Sequence, residues 1–516
     1  MVEKKTILLI TTTHLAKNPR LVKEIDALNN DYKLVVIFFQ LLEEYVDFDQ
    51  SIINKYPHVE FIKINWLKKY YPCRFFYTFL QKLLILFREL SHKHINVEQL
   101  FFSGYLLLKR RSKQVKFDFI HGHNPGSLGV VYHLAKWRKK KSGFDAEDFH
   151  SGEYSKDDPR EEIINSIESK YLPKVDLLVG ASPLICAAYK KKFSDLNIST
   201  INNSFPKNQF HSEAVPGQKN ELKLVWFSQN VGLDRGLNDI LNAINQIQDF
   251  KISFSIIGAC SSSIKETLKA YVETERHQLT FCGLLSNEEL NYSLSKFDVG
   301  IASEPGKDIN NCIALSNKIF AYTQAGLAVL ASNTPAQKYF MKTYTGVGCI
   351  YTVGDTEGIK NILNKWYKDT VLLTSCKETA KLIGETLINW EIEAGVLKKL
   401  IAEQLAQQTD QLNIAITVDP EIPVPPTLYG GIERIVYLLV EELIKRGHSV
   451  SLFAHPNSKT SAKLIPWSGK RSPSFYNTLQ NSFKLWWNFR KDQYDVVHSF
   501  SRLAYLSPIL NKKVAK

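Results

Sequence analysis

The chain has 516 residues, of which 44% are hydrophobic and 23% charged, with seven scattered cysteines and a formal net charge of +13. Two or three domains are expected at that length, and so ordinary a composition excludes a disordered or fibrous chain. The odd cysteine count, with no C-x-x-C pair and no metal-ligand spacing, excludes a disulfide framework and reads as reduced thiols in a cytoplasmic protein.

The opening MVEKKTILLITTTH has a short apolar run broken by threonines, which suits a buried first strand better than an export signal. An amphipathic run from Arg20 to Leu28 and the strand-like KLVVIFF follow. The D-x-D pair Asp47 and Asp49 lies in an acidic connecting segment without ligand partners and is expected to be solvated. From Lys63 to Lys116 twelve Lys/Arg stand against Glu89 and Glu98, which concentrates most of the excess charge in one segment. Its most hydrophobic part, Phe75 to Phe87, is interrupted by Lys82 and falls short of the ~18 residues a membrane span needs. Two readings of residues 63–116 stay open: peripheral contact with an anionic membrane, or a core-facing helix with a solvated basic side. Nucleic acid ranks below both, because no binding motif accompanies the charge.

The strand FDFIHGH carries His121 and His123, which are assigned to opposite faces of the strand; one of them would contact substrate, and the plainer reading is a buried ring serving packing. A helix around Leu128–Lys140 and the loop DAEDFHSGE come next. Asp145, Glu147, Asp148 and His150 in that loop form either an acceptor site or a polar surface turn. VDLLVGAS is another buried strand, and INNSFPKNQFHSEAVPGQKNE reads as a linker, with a boundary near Pro206.

A second α/β series begins at LKLVWFSQ and continues through a helix at Leu237–Ile247, FSIIGA, LTFCG, DVGIAS and LAVLAS. Strands alternating with helices in this way predict parallel sheets covered on both faces. In WFSQNVGLDRGLNDILNAI a strand ends in a loop where Gly232 lets the backbone approach a ligand and Arg235 can grip a diphosphate. In DVGIASEPGKDINNCIALSNKIFAYTQAG a polar loop at a strand's carboxyl end leads to a helix that Ser316 can cap. Ligands of open α/β sheets bind at such ends, and helix N-termini favour phosphate. Asn317 and Lys318 add donors there, and a cation in a first turn works against the helix dipole unless an anion is bound. P-loop, H-E-x-x-H, G-x-S-x-G and G-x-G-x-x-G patterns are lacking, which removes support for the common hydrolase, protease, esterase and dinucleotide readings.

Helical segments run from Thr356 to about Gln408, and then the chain begins again. LNIAITVDPEIPVPPTLYGGIERIVYLLVEELIKRGHSVSLFA repeats the order strand, loop, helix, strand of residues 6–39, and YDVVHSF echoes FDFIHGH. The expected architecture is α/β, with domains at 1–205, 206–410 and 411–516.

Taken together and in order, TTTHLAKNPRLVKEIDAL, FDFIHGHNPGSLG, DRGLNDILNAI, FCGLLSNEEL and SNKIFAYTQAG resemble the GT-B glycosyltransferases of retaining family 4, and the tail resembles the opening part of the same family. The resemblance implies two Rossmann-like domains around a central cleft, plus a partial third. It implies a hexosyltransferase-like, metal-independent enzyme of polysaccharide biosynthesis, without a cofactor, that takes a nucleoside-diphosphate sugar and a glycan or lipid-linked acceptor. Such an enzyme would be cytoplasmic, with peripheral membrane contact as one option. The implied donor residues are Gly232, Arg235, Gly236, Glu304, Ser316, Asn317, Lys318 and Tyr322; His121 or His123 would position the transferred sugar. Asn18, Arg20, Asp148 and His150 are the acceptor-side candidates. The helices near Asn389-Trp390-Glu391 would cross back onto the first domain. The family's two usual carboxylates are replaced by Ile313 and Ala321, which leaves Glu304 as a candidate substitute. It also gives weight to an alternative, a donor-site-impaired protein that binds a glycan or partner without turnover.

Overall fold

The computed structural model describes residues 4–67, 71–91, 97–155, 157–210, 221–273, 275–407, 412–492 and 494–510. Lys68, Lys69 and Lys93, most of the expected linker and the 410/411 boundary lie outside the described residues, as does the side chain of Arg88.

The apolar runs form strands in two successive parallel sheets. The first contains β1 (Thr6–Ile10), β2 (Lys33–Gln40), β3 (Glu60–Asn65), β4 (Phe119–His123), β5 (Lys141–Ala146), β6 (Leu177–Gly180) and β7 (Ile198–Thr200), in the order β3-β2-β1-β4-β5-β6-β7. The second contains β8 (Glu221–Asn230), β9 (Lys251–Ala259), β10 (Gln278–Gly283), β11 (Val299–Ala302), β12 (Ala328–Ser332) and β13 (Gly348–Tyr351), in the order β10-β9-β8-β11-β12-β13. Both orders reverse direction once, between β1 and β4 and between β8 and β11. Diverging loops at such a reversal open a crevice at the strands' carboxyl ends. The sheets are covered by helices, and their interiors are fully apolar at Ile7, Leu8 and Leu9 in β1 and at Leu224, Val225 and Trp226 in β8.

Helix α1 (Pro19–Leu28) starts where the sequence dictates: Asn18 caps it by accepting the Leu21 N–H at 2.9 Å, and Pro19 fills the first helical position. Its inner face is unusual. Besides Leu21, Ile25 and Leu28 it buries Arg20 and Glu24, so two charges are carried under the sheet edge and need partners there.

In helix α2 (Tyr71–Ser91) the described aromatic and aliphatic side chains Phe75, Phe76, Phe79, Ile85 and Leu86 are exposed. Its other side, with Tyr77, Leu80 and Leu84, is half-buried, and Gln81 donates to Leu100 O at 2.7 Å, so the outward side is largely apolar instead of the solvated basic side expected. Among the described residues no helix is long and apolar enough to cross a membrane.

The second sheet leads, through helices α3 (Leu237–Asn245), α4 (Ile309–Ile313) and α5 (Asn317–Gln324), to α6 (Trp390–Ala406). The start of α6 meets the first sheet's side of the chain. Trp390 N–H donates to Phe205 O at 2.9 Å, Glu393 accepts from Asn202 N and Nδ2, and Lys398 pairs with Asp31 at 2.9 Å.

The tail folds around its own sheet, β14 (Asn413–Thr417), β15 (Ser449–Ala454), β16 (Lys463–Pro466) and β17 (Val496–Ser499), all parallel, in the order β16-β15-β14-β17. That order reproduces β3-β2-β1-β4, so the repeat seen in the sequence is also a repeat of topology. The tail has an apolar cluster on each face. One joins Ile414, Ile416 and Val418 to Val436 and Val440 of α7 (Gly431–Lys445); the other joins Phe453, Trp467 and Tyr505 to Leu485 and Phe489 of α8 (Phe475–Lys491).

Candidate functional site

The two switch-point loops of the second sheet are tied together. Gly236 takes φ +70°, a left-handed turn that suits glycine, and the Ser303 hydroxyl donates to Arg235 O at 2.8 Å. Glu304 is fixed by its backbone, because its N–H and C=O both bond the Ser332 hydroxyl at the end of β12. Ser316 stands at the N-cap of α5, but its hydroxyl makes no capping bond. The first-turn N–H groups of α5 are therefore left without a side-chain partner.

Lys318, in that first turn, is 8% exposed and bonds Glu304 Oε1 at 2.7 Å, and its ammonium lies 5.4 Å from the Trp226 ring. A buried ion pair with Glu304 offsets its charge in this structure. Burial disfavours the charged form of Glu304, but the Lys318 charge and bonds from Lys318 and Asn311 outweigh it and hold the carboxyl below its ordinary range.

Arg235, Glu304, Ser316, Asn317 and Lys318 line one side of a crevice of about 390 Å³, and Asn18, Arg20, Glu147, Asp148 and Asn203 line the other. The sides are bridged at three places. Asn310 in α4 donates to Asp148 Oδ1 at 2.9 Å and accepts the Phe149 N–H at 2.8 Å; the Ser182 hydroxyl donates to Ile313 O at 2.8 Å; Asn203 donates to Asn317 at 2.7 Å. Burial raises Asp148 to about 6, against the lowering effects of His150 and Asn310.

Behind the first-sheet wall lies a chain of charged groups. Glu24 bonds His121 Nδ1 at 2.6 Å and His123 Nε2 at 2.7 Å, and His123 Nδ1 meets Glu147 at 2.9 Å. Both rings have no exposed surface and neither lines the crevice. The expected assignment to opposite faces is thus corrected: residues two apart in a strand share a face, and both histidines turn to one carboxylate. Neither ring reaches the crevice, and His123 meets its wall only through Glu147. Burial lowers the pKa of His123, but bonds to Glu147 and Glu24 prevail and raise it to about 10, while both histidines hold Glu24 well below the usual carboxylate range despite its burial. Arg20 grips Asp145 through Nε and Nη2, both at 2.9 Å, and gives a third bond to Ile201 O at 2.9 Å. The groupings Glu24/His121/His123, His123/Asp145/Glu147 and Asp148/His150/Glu153 have the atom types of metal ligands. In the first, ring nitrogens and carboxylate oxygens bond each other directly, so a cation there would have to displace those bonds.

Other expected residues lie elsewhere. Tyr322 is fully buried against Phe227, over Gly300, where a Cβ would sit 2.1 Å from the ring; it belongs to the core, not to a donor pocket. Gly232 has extended backbone and, like Gly236, does not line the crevice. His150 is buried and bonded to Glu153 at 2.8 Å, outside the lining, and those bonds to Glu153 raise its pKa to about 9 against the effect of burial. Asp49 is buried, not solvated: it bonds His14 Nδ1 at 2.6 Å and the Ala16 N–H at 3.0 Å, whereas Asp47 is exposed. Asp308, Asn310 and Asn311 also line the crevice and were not singled out in the sequence. Their one sequence signal is the D-x-N-N run, where Asp308 caps α4 by accepting the Asn311 N–H.

Residues 429–515 match the family model described as Glycosyltransferase Family 4. No curated protein matches the chain. Solved structures do: sucrose-phosphate synthase from Thermosynechococcus elongatus at 13% identity and a TM-score of 0.58, covering 78% of this chain and 100% of that one. The Anabaena protein HepE in complex with UDP-glucose matches at 12% identity and 0.55, covering 77% and 100%. A glycosyltransferase from Rickettsia africae matches at 13% and 0.55, covering 79% and 100%. At these identities the likeness is one of fold, and the two large sheets have the GT-B arrangement.

Proposed function

We propose that residues 1–410 are a glycosyltransferase that moves a hexose-like sugar from a nucleoside diphosphate, uridine diphosphate in first place, to a glycan or lipid-linked glycan, with retention of configuration. The observation that carries this reading is that Arg235, Lys318 and the open N-terminus of α5 line one crevice with Arg20 and Asp148 opposite. Positive groups gathered at the carboxyl ends of strands suit a pyrophosphate whose charge grows as the sugar leaves. HepE, of the same fold, has been solved with UDP-glucose. In this reading Arg235 takes the diphosphate from the open side and the α5 N–H groups take it end-on. Glu304, fixed beside Lys318, accepts from a sugar or ribose hydroxyl in place of the carboxylates absent at Ile313 and Ala321. Arg235 and the α5 N–H groups supply the charge compensation, and in this reading the transfer requires no metal. Glu147, backed by the protonated His123, faces the sugar on the acceptor side. Residues 412–510 repeat the opening strand order of the first domain. The exposed apolar face of α2 and its basic flanks favour cytoplasmic attachment to an anionic membrane.

One observation favours a second reading, binding without turnover: Lys318 is already neutralised by Glu304. Thermal unfolding with uridine, guanosine, adenosine and thymidine diphosphates tests the first reading. A ligand present at a hundred times its Kd adds about 2.7 kcal/mol of stability. If none raises the melting temperature the transferase reading fails; if one does, but its sugar conjugates are neither transferred nor hydrolysed, the second reading stands.

A further inference from the structure

Helix α8 of the tail points its aromatic residues the wrong way for a helix that only serves a core. Its buried face is Asn481, Ser482, Leu485 and Phe489, half of it polar. Its outward face carries Phe475 (77% exposed), Tyr476, Leu479, Phe483 (62%) and Trp487 (46%). These recur at intervals of three and four, so they form one continuous stripe along the helix. Phe483 and Trp487 stack on each other and wall a hollow of about 440 Å³ with Lys484. Contiguous exposed apolar surface of this kind marks a place where something else docks.

The charges say what. The helix contains no Asp or Glu; its charged residues are Lys484, Arg490 and Lys491, and exposed Lys470 and Arg471 precede it. Asp492, just past the helix, pairs with Lys463 at 2.7 Å, and Glu421 accepts from the Ser472 hydroxyl. Arg490 and Lys491 lie over the Trp486 and Trp487 rings. Aromatic side chains flanked by cations, without acids, suit the headgroup layer of an anionic bilayer, where rings sit at the interface and cations meet phosphates.

We infer that α8 is a docking surface for anionic phospholipid membranes. This surface is separate from α2, although the topology pairs them: α8 lies in the β16-to-β17 connection and α2 in the equivalent β3-to-β4 connection.

The test is co-sedimentation of the full chain with phosphatidylcholine vesicles with and without phosphatidylglycerol. Removing the ring pair with Phe483→Ser/Trp487→Ser is expected to lower partition onto anionic vesicles by roughly tenfold or more. Neutralising Lys484, Arg490 and Lys491 to Gln should cost roughly fivefold per charge at low salt and little at high salt. These side chains are exposed or half-exposed, so unchanged melting curves serve as the folding control, and Phe75→Ser/Phe79→Ser on α2 reports that helix separately. Parental binding by the ring-pair variant overturns the inference, as does equal binding of the parent to neutral and anionic vesicles. A parent that is dimeric by light scattering, becomes monomeric in the ring-pair variant and ignores vesicles also overturns it, in favour of a second copy of the chain on this face.

Discussion

Replacing Lys318 with Met should expose how the crevice is held together. The ammonium and the Glu304 carboxylate are 2.7 Å apart, which at an effective dielectric near 20 is about 6 kcal/mol of attraction. Part of that only offsets desolvation, and truncating one member of a buried pair costs about 3–5 kcal/mol. Glu304 would retain one side-chain bond from Asn311, at 3.2 Å, so a loss of about 3 kcal/mol is expected at neutral pH. The pH dependence is the sharper diagnostic. In the parent the Glu304 pKa is depressed below the ordinary value of 4.5, so the stability it supplies is present above that value and lost as pH falls through the folded pKa. In the variant, burial without Lys318 reverses the sign: the lone carboxyl resists ionisation, and the penalty appears as pH rises above about 4.5. Denaturant unfolding of both proteins at about pH 7.5 and 4.5 should show a gap that shrinks by more than half at the lower pH. Glu304→Gln added to Lys318→Met should restore most of the loss. A gap below about 1 kcal/mol, or one equal at both pH values, would refute the assignment of a buried, mutually dependent pair.

Two more expectations concern the first-sheet wall. Arg20→Lys cannot reproduce both bonds to Asp145 and the bond to Ile201 O, and should lower stability by about 2–3 kcal/mol in chemical denaturation. His123, raised to about 10 by Glu147 and Glu24 against its burial, contributes stability that is complete below the unfolded value near 6.5 and disappears as pH rises through about 10. Unfolding free energy from chemical denaturation should therefore fall more steeply between about pH 8 and 10.5 in the parent than in His123→Gln, by an amount on the order of 2–4 kcal/mol; parallel curves would remove His123 as the cause.

What could be read from the sequence follows from how far apart the interacting residues are. The uninterrupted apolar runs of β1, β2 and β8 and the Asn18-Pro19 helix start carry their information locally, and each is where it was expected. Strand β5, KSGFDA, has a single large apolar side chain, and β7 has three residues; sheet neighbours rather than pattern define both. The loops holding Arg235 and Lys318 were legible as strand ends. The Lys318 partner is fourteen residues away, and the Asn310–Asp148 bond spans 162. Asp49 misled for the same reason: an acid in a polar segment looks solvated when the histidine it serves stands 35 residues earlier. The histidine pair was different, because the period of a strand already places residues 121 and 123 side by side.

The repeated strand order of the tail has a consequence for self-association. In the first sheet β4 is an interior strand with β5 beside it, whereas among the described residues its counterpart β17 has a neighbour on one side only. An unpaired rim normally invites another chain to add itself, but this one is four residues long and carries an outward His498. So brief a rim gives a foreign strand few ladder bonds to gain.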